Sequence, residues 1–158
     1  MAQLNVQIGQ PAPDFESVDD RGQPIRLKDF RGQHVVLYFY PKDNTPGCLL
    51  EARAFNASLE EFTKRNTVVL GVSTDDVSSH ERFRDNCGLR FRLIADSKKT
   101  IARTYGALSG LAGLLGLAQR VTVLIDKDGI VRAVWDKVSP RHHPEEVLEK
   151  IDELKLAR

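Results

Sequence analysis

Cysteine is scarce in this 158-residue chain: there are two, Cys48 and Cys87. That is too few for the disulfide framework of a small secreted domain and too few for a four-cysteine zinc site. An excess of one charge is also missing. Lys plus Arg number 23 against 22 Asp plus Glu, a net +1, which argues against a strongly basic nucleic-acid or membrane-surface binder. No apolar run approaches the roughly 20 residues a membrane-spanning helix needs; the longest nearly uninterrupted one, ALSGLAGLLGLA at 107–118, falls well short. The N-terminus MAQLNVQIGQPAPDF lacks a basic segment followed by an apolar one, so the expectation is a cytoplasmic protein with neither membrane nor nucleic-acid partner. GxGxxG and P-loop patterns, internal repeats and low-complexity tracts are absent as well.

What is present has the profile of one ordinary domain spanning 1–158, with 41% hydrophobic and 28% charged residues. Three continuous apolar runs, HVVLYFY at 34–40, TVVLGVS at 67–73 and VTVLI at 121–125, are predicted as strands covered on both faces. Between the first two, Leu50, Phe55, Leu59 and Phe62 recur at roughly helical spacing. Further helices are predicted at about 77–87, 97–105 and 144–156. Helices alternating with buried strands imply an α/β sandwich. Near the C-terminus, DKDG at 126–129 separates VTVLI from IVRAVW and reads as a hairpin turn, which makes the sheet mixed. Without the remaining ligands of a twelve-residue loop it does not read as a calcium site.

The segment PKDNTPGC at 41–48 lies between a buried strand and an amphipathic helix. Thr45 fits the N-cap and Pro46 the first turn, which places Cys48 among unpaired backbone N–H groups. Only a thiolate is nucleophilic, and a free thiol near pKa 8.5 is only a few per cent ionised at neutral pH. Bringing a thiol down to about 6 takes roughly 3.4 kcal/mol, whereas a helix terminus supplies about 0.3–1 and about 2 at best. Other donors are therefore required, and a hydroxyl such as that of Thr45 and a guanidinium from elsewhere in the chain suit the task.

The segment YFYPKDNTPGC resembles the active-site segment of the peroxiredoxins. With GQPAPDF, KDFRGQHVVL and RVTVLIDKDG, the chain is similar to the bacterioferritin comigratory protein, or peroxiredoxin Q, branch over nearly its whole length. The resemblance implies a thioredoxin-like fold with a central mixed β-sheet flanked by helices and an N-terminal extension. It implies that Cys48 is the peroxidatic cysteine, Thr45 the hydroxyl that positions peroxide, Pro41 the residue shielding the pocket and Arg120 the cation beside the thiolate. Hydrogen peroxide and alkyl hydroperoxides would be reduced through a sulfenic acid, with no metal or other cofactor. Thioredoxin or a similar dithiol would be the reductant, and the protein a monomer or weak homodimer.

Many relatives of this branch carry a resolving cysteine five residues after the first, where this chain has Arg53. Others carry it in the next helix, where Cys87 stands; its spacing from Phe83 equally suits a core position. Without a resolving role for Cys87, the chain would be a one-cysteine peroxidase reduced by external thiol; the alternative to a peroxidase is a non-catalytic interaction or chaperone module of the same fold that keeps the motif for structural reasons. The leucines 108, 111, 114, 115 and 117 suit a pocket wall, a self-association patch or a loop folded back on the protein. His80, His142 and His143 match no zinc spacing, and the HHP segment reads as a polar loop before the last helix.

Overall fold

The structure, a computed structural model, describes residues 4–108 and 110–156. Seven strands form one sheet: β1 (Glu16–Asp19), β2 (Pro24–Arg26), β3 (His34–Phe39), β4 (Thr67–Ser73), β5 (Arg92–Ala95), β6 (Val121–Ile125) and β7 (Val131–Trp135). Their order is β2-β1-β5-β4-β3-β6-β7. β3, β4 and β5 are parallel neighbours, while β6, β7, β1 and β2 join antiparallel, so the sheet is mixed as expected. Asp126 closes the β6–β7 hairpin by accepting from the backbone N–H groups of Asp128 and Ile130 at 2.9 and 3.0 Å.

Alternation along the central strands divides the core in two. Val35, Leu37 and Phe39 of β3 face one layer, with Ile101, Ala102 and Tyr105 of α4 (Thr100–Tyr105). Val36 and Tyr38 face the other, with Ala52 and Phe55 of α1 (Pro46–Ala57), Phe62 of α2 (Leu59–Lys64), Phe83 of α3 (Val77–Cys87), and Val147 and Ile151 of α6 (His143–Glu153). Each fully buried aromatic or aliphatic side chain contributes about 1.5–3 kcal/mol. This is the thioredoxin-like arrangement, a mixed sheet between helical layers, with β1 and β2 added at one edge by the N-terminal extension.

Several expectations need correction. The helix after Cys48 breaks at Ser58 into α1 and α2, and Leu50 is 43% exposed. The buried stripe of α1 instead runs through Cys48, Glu51, Ala52 and Phe55, positions three or four apart that share one face. His143 opens α6 and is buried, so HHP is not wholly a polar loop. In the leucine-rich stretch, Leu108 packs on the core, and α5 (Gly110–Leu114) leaves Leu114 84% and Leu115 69% exposed. Those two leucines do not fold back onto the protein; the Leu111 side chain lies outside the described residues. None of the helices described is long and apolar enough to cross a membrane.

Candidate active site

Thr45 is the N-cap of α1 and Pro46 its first residue, as the sequence implied, so Cys48 occupies the first turn. The proline has no N–H to leave unpaired, and its ring pre-sets the helical φ. The Thr45 side chain makes no bond to the helix N–H groups; its hydroxyl donates to the Lys42 carbonyl at 2.8 Å. Cys48 is only 1% exposed and faces the core layer of α1, α3 and α6.

Arg120, just before β6, reaches this thiol across the sheet end. Its Nη2 donates to Cys48 Sγ at 3.6 Å and its Nη1 to Glu51 Oε1 at 2.7 Å. One planar guanidinium thus spans two residues that lie one turn apart on α1. Gly47 makes room for it: a Cβ there would stand 2.9 Å from Arg120 Nη2. Pro41, half-buried, begins the loop that runs from β3 into α1.

A family model described as AhpC/TSA matches residues 8–134. A putative peroxiredoxin bcp of Helicobacter pylori is 42% identical over 150 residues, covering 92% of this chain and 98% of its own. The crystal structure of a cysteine-to-serine mutant of Xylella fastidiosa PrxQ superposes with a TM-score of 0.90 at 32% identity, over 96% of this chain and 98% of that one. A Xanthomonas campestris bacterioferritin comigratory protein, described for its alkyl peroxide reduction activity, gives a TM-score of 0.84 at 31% identity over 100% of both chains. This chain is a peroxiredoxin of the AhpC/TSA family, in the bacterioferritin comigratory protein and peroxiredoxin Q branch. Thiol-dependent reduction of peroxide, an antioxidant activity, comes with membership.

Of the residues the sequence singled out in this peroxiredoxin, Cys48 and Arg120 are in direct contact. Thr45 caps the same helix, and Pro41 stands at the head of the same loop. Sequence reasoning missed Glu51, whose side chain is 0% exposed. Burial pushes its carboxyl up to about 7, against the pull of Arg120. Its Oε2 and the buried Tyr38 hydroxyl have no hydrogen-bond partner among the described residues. Burial first, then the nearby Glu51 charge, pushes the Tyr38 hydroxyl well above its usual range. The signal for Glu51 was present: a charged residue three after Cys48 and four before Phe55 sits in the middle of the buried stripe.

A second missed constellation anchors the loop before α1. Asp43 accepts from Tyr40 Oη at 2.6 Å, Ser79 Oγ at 2.8 Å and His80 Nδ1 at 2.7 Å, and its own N–H donates to Asp75 at 2.8 Å. His80 Nε2 lies 2.9 Å from the Ile94 carbonyl, so both ring nitrogens face acceptors. Burial works against the charged imidazole, but the Asp43 bond and charge outweigh it and raise the His80 pKa. This network ties the segment ahead of Cys48 to α3. His80 is thus engaged with the Asp43 carboxylate and the Ile94 carbonyl, not with either cysteine.

Cys87 is the last residue of α3, half-buried against the same core layer as Cys48. Its neighbour Asn86 donates to Asn44 Oδ1 at 3.2 Å, in the loop before Cys48. Burial pushes the Cys87 thiol up, against the pull of the nearby Arg53 charge.

Proposed function

We propose that Cys48 is the peroxidatic cysteine and that Cys87 resolves it, in a cycle that reduces hydrogen peroxide and alkyl hydroperoxides at the expense of thioredoxin or a similar dithiol. The observation that supports the first part best is the Arg120 guanidinium, held by Glu51, 3.6 Å from Cys48 Sγ. The Cys48 thiolate attacks one peroxide oxygen; the S–O bond forms, the O–O bond breaks, and the departing oxygen takes a proton and leaves as water or alcohol. Arg120 donates to the sulfur and to the oxygen on which negative charge develops, a task for a preorganised cation in a dry site. Thr45 Oγ1 gives its proton to the Lys42 carbonyl, leaving lone pairs to accept the O–H of peroxide. Pro41 shields the thiolate from bulk water. The activity described for the Xanthomonas relative supports including alkyl hydroperoxides.

Recycling through Cys87 draws support from its place on the same core layer and from the Asn86–Asn44 bond that brings the end of α3 to the Cys48 loop. A disulfide needs the two Cα atoms within about 7 Å, and in this cycle the first turn of α1 unwinds to bring Cys48 to Cys87. A monomer or weak homodimer in the cytoplasm, where dithiol reductants keep thiols reduced, suits this cycle.

The test is intact mass after one equivalent of hydrogen peroxide. Within seconds the reduced protein converts to a species about 2 Da lighter, the disulfide. Conversion to one about 16 Da heavier supports Cys48 but removes Cys87 from the cycle. No change in mass, with peroxide unconsumed, overturns both.

A further inference from the structure

The peptide unit between Lys42 and Asp43 is held at both of its polar ends. Its carbonyl accepts from Thr45 Oγ1 at 2.8 Å, and its N–H donates to Asp75 Oδ2 at 2.8 Å. A trans peptide is planar, with C=O and N–H pointing opposite ways, so an anchor on one fixes the aim of the other. Asn44, at φ 62, turns the chain so that the Thr45 hydroxyl comes back to the Lys42 carbonyl. Asparagine adopts that left-handed conformation more readily than most residues.

Asp75 lies outside the 41–48 segment, in the link from β4 to α3. The oxygen that takes the Asp43 N–H also accepts from Ser73 Oγ at 2.6 Å, and the Asp75 N–H donates back to that hydroxyl at 3.1 Å. Ser73 is the buried last residue of β4, so Asp75 is set by the sheet rather than by the loop it holds. One oxygen each of Asp43 and Asp75 lies within 4.8 Å of the other and of a His80 ring nitrogen. The His80 imidazolium, donating to Asp43, offsets the repulsion of the two carboxylates.

We infer that Asp75 is a positioning residue for the peroxide reaction, its carboxylate aiming the Lys42 carbonyl so that Thr45 offers peroxide a lone pair rather than a proton. The inference rests on Cys48 being the thiol that peroxide meets and on Thr45 being the hydroxyl that positions it. A threonine hydroxyl has one proton to give and two lone pairs. With the Lys42 carbonyl in place the proton is committed, and the oxygen serves as an acceptor. A carboxylate on the N–H also polarises the peptide and strengthens the acceptor at its other end. Released from Asp75, the peptide unit is free to rotate, and the Thr45 hydroxyl then competes with Arg120 as a donor to the same peroxide.

The experiment is a double-mutant cycle on the rate of reaction with hydrogen peroxide, followed by stopped flow in wild type, Asp75→Ala, Thr45→Val and the double variant. Asp75→Ala is expected to react about tenfold more slowly than wild type, the equivalent of roughly 1.4 kcal/mol of barrier. In Thr45→Val, which has no hydroxyl to aim, the same change is expected to cost nothing further. Asp75→Asn keeps an oxygen for the Asp43 N–H without the charge, so its loss is expected to be about threefold and likewise confined to proteins that retain Thr45. Should Asp75→Ala fail to fold, Asp75→Asn in the two backgrounds carries the same comparison. Titration of the Cys48 thiolate by its ultraviolet absorbance is expected to coincide in wild type and the Asp75 variants, whereas damage to the fold would shift it. Equal slowing with and without Thr45, or a wild-type rate in Asp75→Ala, overturns the role of Asp75 while leaving Cys48 in place. A wild-type rate in Thr45→Val overturns instead the reading of Thr45 on which that role rests.

Discussion

Glu51 accepts a 2.7 Å hydrogen bond from Arg120 with its carboxylate wholly inside the protein. The same guanidinium touches Cys48, so the protonation of Glu51 bears on the cation that serves the thiol. With burial holding the carboxyl near 7, Glu51 passes from mostly protonated to mostly ionised as pH rises through neutrality. The rate of the peroxide reaction is expected to fall on the acid side, Glu51 contributing a transition near 7, and Glu51→Gln is expected to remove that contribution and shift the limb. Stopped-flow rates across pH 5.5–8.5 (about three units, on either side of the Glu51 value) check this. An identical profile in the variant contradicts it.

The same carboxyl sets a pH dependence of stability. A group that ionises near 4.5 when unfolded and at about 7 when folded contributes stability below the first value that is lost as pH rises through the second. Relative to Glu51→Gln, wild type should lose at most about 3 kcal/mol over that window and nothing further above it. Urea denaturation of both proteins at several pH values measures the difference.

Gly47→Ala separates chemistry from folding. The added Cβ would stand 2.9 Å from Arg120 Nη2, the far end of a long side chain. The guanidinium shifts at little structural cost, yet it is the group touching Cys48. Peroxide reduction should fall by about 10- to 100-fold, which corresponds to roughly 1.4–3 kcal/mol of lost stabilisation, while the melting temperature moves by no more than a few degrees. A large loss of melting temperature would show that Gly47 serves the fold instead.

Asp43→Ala is expected to destabilise the protein by about 3–5 kcal/mol, because it strands a buried imidazole and two hydroxyls. The His80 pKa is raised in the fold, so the stability this pair provides is fully present below the ordinary histidine range and is lost as pH rises through the raised value. Urea denaturation of His80→Gln should accordingly show a deficit that shrinks toward alkaline pH. A pH-independent deficit would mean that the charged imidazole plays no part.

The central strands were legible because β3, β4 and β6 are continuous apolar runs, a pattern set by cover on both faces. β1 and β2, reading ESVD and PIR, are short strands at one side of the sheet with no such pattern. In α1 an apolar residue, Leu50, suggested the wrong face, and a charged one, Glu51, concealed the right one. The contact between Arg120 and Cys48 joins residues 72 positions apart. No local rule of spacing reveals it, and only the resemblance to the family pointed there. The Asp43–His80 pair was invisible for the same reason, its members brought together by the packing of α3 on the 41–45 loop.

Peptide mapping after one equivalent of hydrogen peroxide tests most directly whether Cys48 is the sulfur that meets peroxide. The oxidation is expected on the peptide containing Cys48, disulfide-linked to the peptide containing Cys87, and Cys48→Ser is expected to leave the peroxide unconsumed. Peroxide consumed while Cys48 remains a free thiol would contradict the mechanism at its first step.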